Sequence, residues 1–268
     1  MDKIAEKLRE IRPNFKPSIG IILGSGWNDS LNYIQDKTSI NYADIDGMPV
    51  CTVPGHSGKW VLGTYNGKNI VAMQGRFHLY EGYKAQEITL PIKVMKELGI
   101  ETLIITNAAG GINTDYSTGD LVVLCDHINM TGTNPLIKDP TKKEQPEFID
   151  MSNIYNKDLI KMCEDTCKKN KYTLHKGTYI QVLGPIYETP AEIKMYRTMG
   201  ADVVGMSTVQ ESIMATSLGL KVLAISCISN MASGIAKEKI CHKEVIEVAN
   251  RNKEKLSNLI LQLIDEIN

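Results

Sequence analysis

Thr102-Leu-Ile-Ile-Thr-Asn-Ala-Ala-Gly-Gly111 is the stretch that decides the fold class. Its first half, Thr102–Thr106, is a short apolar run rich in β-branched residues, which fits one buried strand. Its second half reads as a glycine-rich loop. The same arrangement returns twice: Ser18–Leu23 runs into Gly24-Ser25-Gly26, and Asp202–Val204 runs into Gly205-Met206-Ser207-Thr208. Strands apolar along their whole length are covered on both faces, so helices must lie between them. The periodicity supplies those helices. Ile4, Leu8 and Ile11 share one helical face, and Ala85–Leu98 is helical in period with Pro91 in its first turns or at a kink. Asn156–Lys169 is helical, Pro190 and Gly200 bracket another helix, and His242–Ile267 is long and amphipathic. Further short strands fall at Leu121–Leu124, Gly177–Leu183 and Lys221–Ser226. Lys59–Tyr65 and Asn69–Gln74 flank Asn66-Gly67, a hairpin signal that adds an antiparallel element. The expectation is an α/β protein, a central mixed β-sheet flanked by helices. With no internal repeat and no linker, residues 1–268 read as a single domain.

Composition narrows the function. Of 268 residues, 43% are apolar, enough for a real core. Lys+Arg is 30 and Asp+Glu is 31, a net charge of -1, which argues against nucleic acid as a partner because phosphate neutralisation needs a basic excess. Apolar runs such as Ile21–Leu23 are far below the roughly 18 residues of a membrane span. The opening Met1-Asp-Lys-Ile-Ala-Glu-Lys-Leu8 lacks the apolar core of a signal peptide, so the expected compartment is the cytoplasm. The six cysteines are scattered, with no Cys-x-x-Cys pair. They are expected to be reduced and structural, and no metal site is expected.

In α/β sheets ligands sit at the C-terminal ends of strands, where glycine-rich loops let backbone N–H groups approach an anion. Three such loops with the same glycine and hydroxyl chemistry suggest convergence on one phosphate. A dinucleotide fingerprint is disfavoured, because Asp29 stands where Gly24-x-Gly26 would need a third glycine. A nucleotide-binding Gly-Lys-Ser/Thr is absent too, since Gly58-Lys59 is followed by Trp60. Gly75-Arg-Phe-His-Leu-Tyr-Glu-Gly82 is dense in polar function after a strand. Arg76 and His78, two apart, project to one side of an extended chain and suit an anion: guanidinium for charge and fork, imidazole for a second donor. Pro54-Gly-His-Ser-Gly-Lys59 is a second polar loop. His127 reads as a structural hydrogen-bonder and His175 as a surface residue. Glu188 alone reads as an acid at a helix start near Pro190.

Taken in order, Gly24-Ser-Gly-Trp27, Pro54–Lys59, Gly75–Gly82, Thr106-Asn-Ala-Ala-Gly-Gly-Ile-Asn113, Gly184-Pro-Ile-Tyr-Glu-Thr-Pro190 and Gly200-Ala-Asp-Val-Val-Gly-Met-Ser-Thr-Val209 resemble the trimeric class of purine nucleoside phosphorylases. The match runs from about residue 20 to the C-terminus. The resemblance implies a nucleoside phosphorylase-like fold and phosphorolysis of 6-oxopurine ribonucleosides to free base and ribose 1-phosphate, with inorganic phosphate as co-substrate and no cofactor. It assigns phosphate binding to Ser25, Arg76, His78, the Ala108 backbone N–H and Ser207, with His56 beside them. It assigns ribose to Tyr80, Met206 and His242, and the base to Tyr187, Glu188 and Asn230. Catalysis would fall to His78, Glu188 and Asn230. It also implies a homotrimer, in which the long loop Asn134–Glu147 reaches a neighbour and Phe148, or Tyr155 instead, enters the neighbouring site.

Two other readings stand beside this one. A methylthioadenosine phosphorylase-like enzyme would read a 6-amino base, and that family uses aspartate where this chain has Asn230. A non-catalytic nucleoside-binding protein would not need both Arg76 and His78 for an inorganic anion.

Overall fold

The structure, a computed structural model, describes residues 2–53, 57–139, 141, 145–235 and 242–267; the side chains of residues 2 and 242–246 lie outside that description. The strands are β1 (Ile19–Leu23), β2 (Gln35–Asn41), β3 (Lys59–Tyr65), β4 (Lys68–Gln74), β5 (Thr102–Gly111), β6 (Leu121–Asn129), β7 (Leu174–Gln181), β8 (Val203–Gly205) and β9 (Lys221–Met231). The helices are α1 (Asp2–Ile11), α2 (Ala85–Ile88), α3 (Leu90–Leu98), α4 (Lys157–Asn170), α5 (Pro190–Thr198), α6 (Val209–Ser217) and α7 (His242–Glu266).

All nine strands form one mixed sheet in the order β2-β3-β4-β1-β5-β8-β7-β6-β9, and β5 also pairs with β9. That extra pairing closes β5-β8-β7-β6-β9 into a ring. β5 can serve three neighbours because it is ten residues long. Its whole length runs parallel to β9, its first residues pair with β1, and Gly110 and Gly111 pair antiparallel with Val204 and Val203. β1 is buried at every residue, as a parallel strand covered on both faces should be. Asn66 and Gly67, both at positive φ (46° and 79°), turn β3 into antiparallel β4.

Several expected boundaries move. Asn107–Gly111 is strand and not loop. Leu121–Leu124 and Lys221–Ser226 extend to Asn129 and Met231. Ala85–Leu98 is two helices, broken at Thr89, with Pro91 in the first turn of the second.

Candidate active site

One pocket gathers the loops after β1 and β4 with the ends of β5, β8 and β9. Its lining includes Ser25, Arg76, His78, Tyr80, Ala108, Tyr187, Glu188, Met206, Ser207 and Asn230. Ten of the twelve residues expected from the sequence are therefore brought together. The other two are His56, which lies outside the described residues, and His242, which opens α7 with its side chain outside them. Gly24 sits where β1 meets β5: a Cβ there would lie 2.6 Å from the Thr106 carbonyl, so only glycine permits the approach.

At one end of the pocket lies Arg76, only 1% exposed. Its Nη1 donates to Ser207 Oγ (2.8 Å) and Thr208 Oγ1 (3.3 Å), its Nη2 donates to the Thr106 carbonyl (2.6 Å), and its Nε faces Glu211 Oε1 at 3.4 Å. A cation this deep must be paired and hydrogen-bonded to persist, and it is. His78 stands beside it, stacked on Tyr80 with ring centroids 4.6 Å apart. Its Nδ1 donates to Glu81 Oε1 at 2.9 Å, which fixes the ring and leaves Nε2 as the remaining nitrogen. Burial pushes the Glu81 carboxyl up, but hydrogen bonds from His78 and Thr52 outweigh it and hold the group down at about 2. Burial drives the Tyr80 phenol up to about 12, so it stays a neutral hydroxyl.

Tyr187, Glu188 and Asn230 line the same pocket, and Asn230 lies opposite Gly110, further along β5 than the Thr106 carbonyl that Arg76 holds. A register shift between Ala109 and Gly110 leaves Ala109 opposite Ile228 and Gly110 opposite Asn230, with Ser229 as the extra residue. Such a bulge re-aims the side chains beside it. The Ser229 hydroxyl lies 2.8 Å from Asn230 Oδ1 and 3.3 Å from the Ala109 carbonyl; its one hydrogen goes to the nearer acceptor. Asn230 Nδ2 donates to the Met231 carbonyl at 3.1 Å and keeps its second hydrogen. Glu188 precedes α5. The acid that caps that helix is Glu192, whose Oε2 accepts from Thr189 N (2.7 Å) and Oγ1 (2.9 Å). Glu188 is thus released from the helix-start role its position suggests. Burial raises its pKa, and nearby Glu192 adds to the rise.

The α6 helix start differs from a simple anion cradle. Thr208 N donates to Glu211 Oε2 (2.9 Å), while Val209 N and Gln210 N donate to Gln181 Oε1 (2.9 and 3.2 Å). Those N–H groups are occupied, so this strand end offers its hydroxyls. Glu211 and Ser229 were not among the residues expected at the site, and Thr208 was expected there only as part of the Gly205–Thr208 loop, with no role of its own. Thr208-x-x-Glu211 is a capping-box pattern that marks two of them in the sequence.

Three residues outside the pocket settle differently. His127 Nδ1 lies 3.1 Å from the Tyr155 hydroxyl, the expected structural role. Tyr155 is 2% exposed in its own core, which removes it as an aromatic for a neighbour. His175 is half-buried at the surface, where it stacks on Tyr116 at 4.1 Å and reaches Asp120 at 3.0 Å.

The family model for the phosphorylase superfamily matches residues 18–265. This chain belongs to that superfamily. It is 47% identical to purine nucleoside phosphorylase 1 of Bacillus subtilis over 98% of both chains. Among solved structures it resembles Schistosoma mansoni purine nucleoside phosphorylase in complex with inosine (TM-score 0.91, 36% identity) and with adenosine (TM-score 0.92, 37% identity), each covering 100% of this chain and 96% of the other. No helix among the described residues is long and apolar enough to cross a membrane.

Proposed function

We propose that the protein catalyses phosphorolysis of purine ribonucleosides, with 6-oxopurines such as inosine and guanosine preferred. One observation carries the reading: a single pocket holds both a buried Arg76–Ser207–His78 corner suited to an anion and an amide and a carboxylate, Asn230 and Glu188, suited to a purine edge. Phosphate would be held by Ser25, Arg76, His78, the Ala108 N–H and Ser207, with His56 nearby. Tyr80, Met206 and His242 would hold the ribose, and Tyr187 would stack on the base. Cleavage of the glycosidic bond builds positive charge on the sugar, so phosphate beneath C1′ acts as both nucleophile and counter-charge. It attacks C1′ as the C1′–N9 bond breaks, with inversion, and the bonding electrons pass into the purine. Asn230 at the N7/O6 edge and Glu188 at N1–H meet that charge with hydrogen bonds that strengthen in the transition state. Every charge that develops has a protein or phosphate partner, so the reaction runs with phosphate as co-substrate and no further cofactor. Five described cysteines are unpaired thiols, in keeping with a cytoplasmic enzyme. Base release from inosine, measured with and without phosphate, tests the reading: release that needs phosphate and yields ribose 1-phosphate supports it, and phosphate-independent or absent release refutes it.

The 6-oxo preference rests on Asn230. Its Nδ2 keeps one N–H after donating to the Met231 carbonyl, and an N–H donates to a 6-oxo group and not to a 6-amino group. Asn230→Asp replaces the donor with an acceptor. Activity on inosine should fall and some activity on adenosine should appear. Steady-state kinetics on the two nucleosides check this; an unchanged preference means Asn230 does not read the base.

A homotrimer is the assembly we propose. Phe148 is 94% exposed, and Ile137 beside it is 52% exposed. Both lie on the loop after β6 and line one open groove of about 650 Å³. Large apolar side chains left facing water side by side suit an interface. Light scattering should give three times the 29.8 kDa chain mass. A monomer at micromolar concentration would overturn the assignment.

A further inference from the structure

Glu211 is buried (3% exposed) on the first turn of α6, and its two carboxylate oxygens serve different parts of the pocket wall. Oε2 accepts from Thr208 N at 2.9 Å, while Oε1 faces Arg76 Nε at 3.4 Å. The first contact closes the helix start. The second is not needed for a helix cap, and it joins α6 to the loop after β4. Thr208 itself has φ 83° and ψ −49°, a conformation that a β-branched residue adopts only when its surroundings impose it. That unusual backbone places Ser207 Oγ and Thr208 Oγ1 within reach of Arg76 Nη1.

We propose that Glu211 is the positioning residue of the anion corner: one carboxylate that locks the guanidinium of Arg76 and the strained Ser207–Thr208 turn into a single geometry. Resting on the phosphorolysis reading, the proposal assigns Glu211 no contact with substrate. Two effects compete at such a position. A carboxylate beside Arg76 lowers the positive potential felt by phosphate, so removing it would tighten phosphate binding if charge alone mattered. It also fixes the fork, and a loose fork binds a tetrahedral anion poorly. Positioning wins here, because the guanidinium is already desolvated and the carboxylate paired with its Nε also accepts from Thr208 N, in the same turn whose hydroxyls accept from its Nη1.

Glu211→Gln separates the two. A glutamine has one acceptor oxygen, so it can serve Thr208 N or Arg76 Nε, and its NH₂ then opposes the other donor. Expected is a rise of about tenfold in KM for phosphate, the scale of one lost charge-assisted hydrogen bond, with KM for inosine changed less than about twofold. The phosphate-induced rise in Tm should shrink in parallel. An unchanged or lowered phosphate KM leaves Glu211 a neutralising charge and overturns the proposal. An equal rise in both KM values with a lower Tm makes it a packing residue and does the same. If the glutamine variant does not fold, the two KM values of Glu211→Asp decide by the same criteria. Wild-type protein without phosphate-dependent activity would instead defeat the phosphorolysis reading.

Discussion

Glu188→Ala should cut kcat/KM for inosine and guanosine by about a hundredfold to a thousandfold, a loss of roughly 3–4 kcal/mol. Both nucleosides carry N1–H, a donor to an ionised carboxylate, whereas adenosine presents a bare N1 acceptor. The carboxylate attracts the first pair and opposes the second, so it sets selectivity by gain and by penalty together. Thr189 and Glu192 close the start of α5 immediately after it, and neither draws on Glu188. With the base held at N1–H, Asn230 can engage the opposite edge as negative charge flows into the ring. Glu188→Gln should be milder in binding, since its amide oxygen still accepts. Burial raises the Glu188 pKa, so the ionised form is complete above that raised value and is lost as pH falls through it. The acid limb of kcat/KM on inosine should therefore lie above the roughly 4.3 of an ordinary glutamate and vanish in Glu188→Gln. Kinetics on inosine, guanosine and adenosine, with circular dichroism to exclude unfolding, check both variants. If Glu188→Ala keeps more than about a third of wild-type kcat/KM, a loss under roughly 0.7 kcal/mol, Glu188 does not recognise the base.

What could be read from the chain, and what could not, follows from local physics. The hairpin at Asn66-Gly67 and the apolar β1 were legible because turn chemistry and burial act over a few neighbours. Asn107–Gly111 misled because its glycines serve clearance and not a turn. A Cβ on Gly111 would lie 2.9 Å from Met231 Sδ, and one on Gly110 would lie 3.2 Å from Val204. Only the pairing with β8 and β9, distant in sequence, reveals that need. Helix α6 left no periodic signature because Val209–Ala215 is buried on every side. Strand β2, polar along Gln35-Asp-Lys-Thr-Ser-Ile-Asn41, lies at the sheet edge and lacks the apolar alternation that would announce it. At the site, most residues that face the pocket stood in recognisable motifs, but Asn230 stood outside them. The capping box could mark Glu211 as a helix-start acid, but its ion pair with Arg76, like the bulge at Ser229, exists only once the chain has folded.

Arg76→Ala should raise KM for phosphate strongly while inosine binding changes much less. Arg76 contributes the permanent positive charge of the anion corner from a site 1% exposed, where little water screens it. Truncating one member of a desolvated charge pair costs roughly 2–5 kcal/mol, so the phosphate KM should rise about thirtyfold or more. The side chain also supports its surroundings. Removing it takes the Arg76 donor from the Thr106 carbonyl and from the Ser207 hydroxyl, while Thr208 Oγ1 still accepts from Asn107 Nδ2, and it leaves Glu211 buried without the guanidinium beside it. A lower Tm is therefore expected in the alanine variant, and that alone says nothing about phosphate. Arg76→Lys separates the two effects. It keeps the charge but cannot reproduce a fork that spans Ser207 and the Thr106 carbonyl at once. Its phosphate KM should lie between wild type and alanine, with much of the thermal stability recovered. Initial rates measured over a matrix of phosphate and inosine concentrations give both KM values for each variant. Equal rises toward the two substrates would refute a role specific to phosphate.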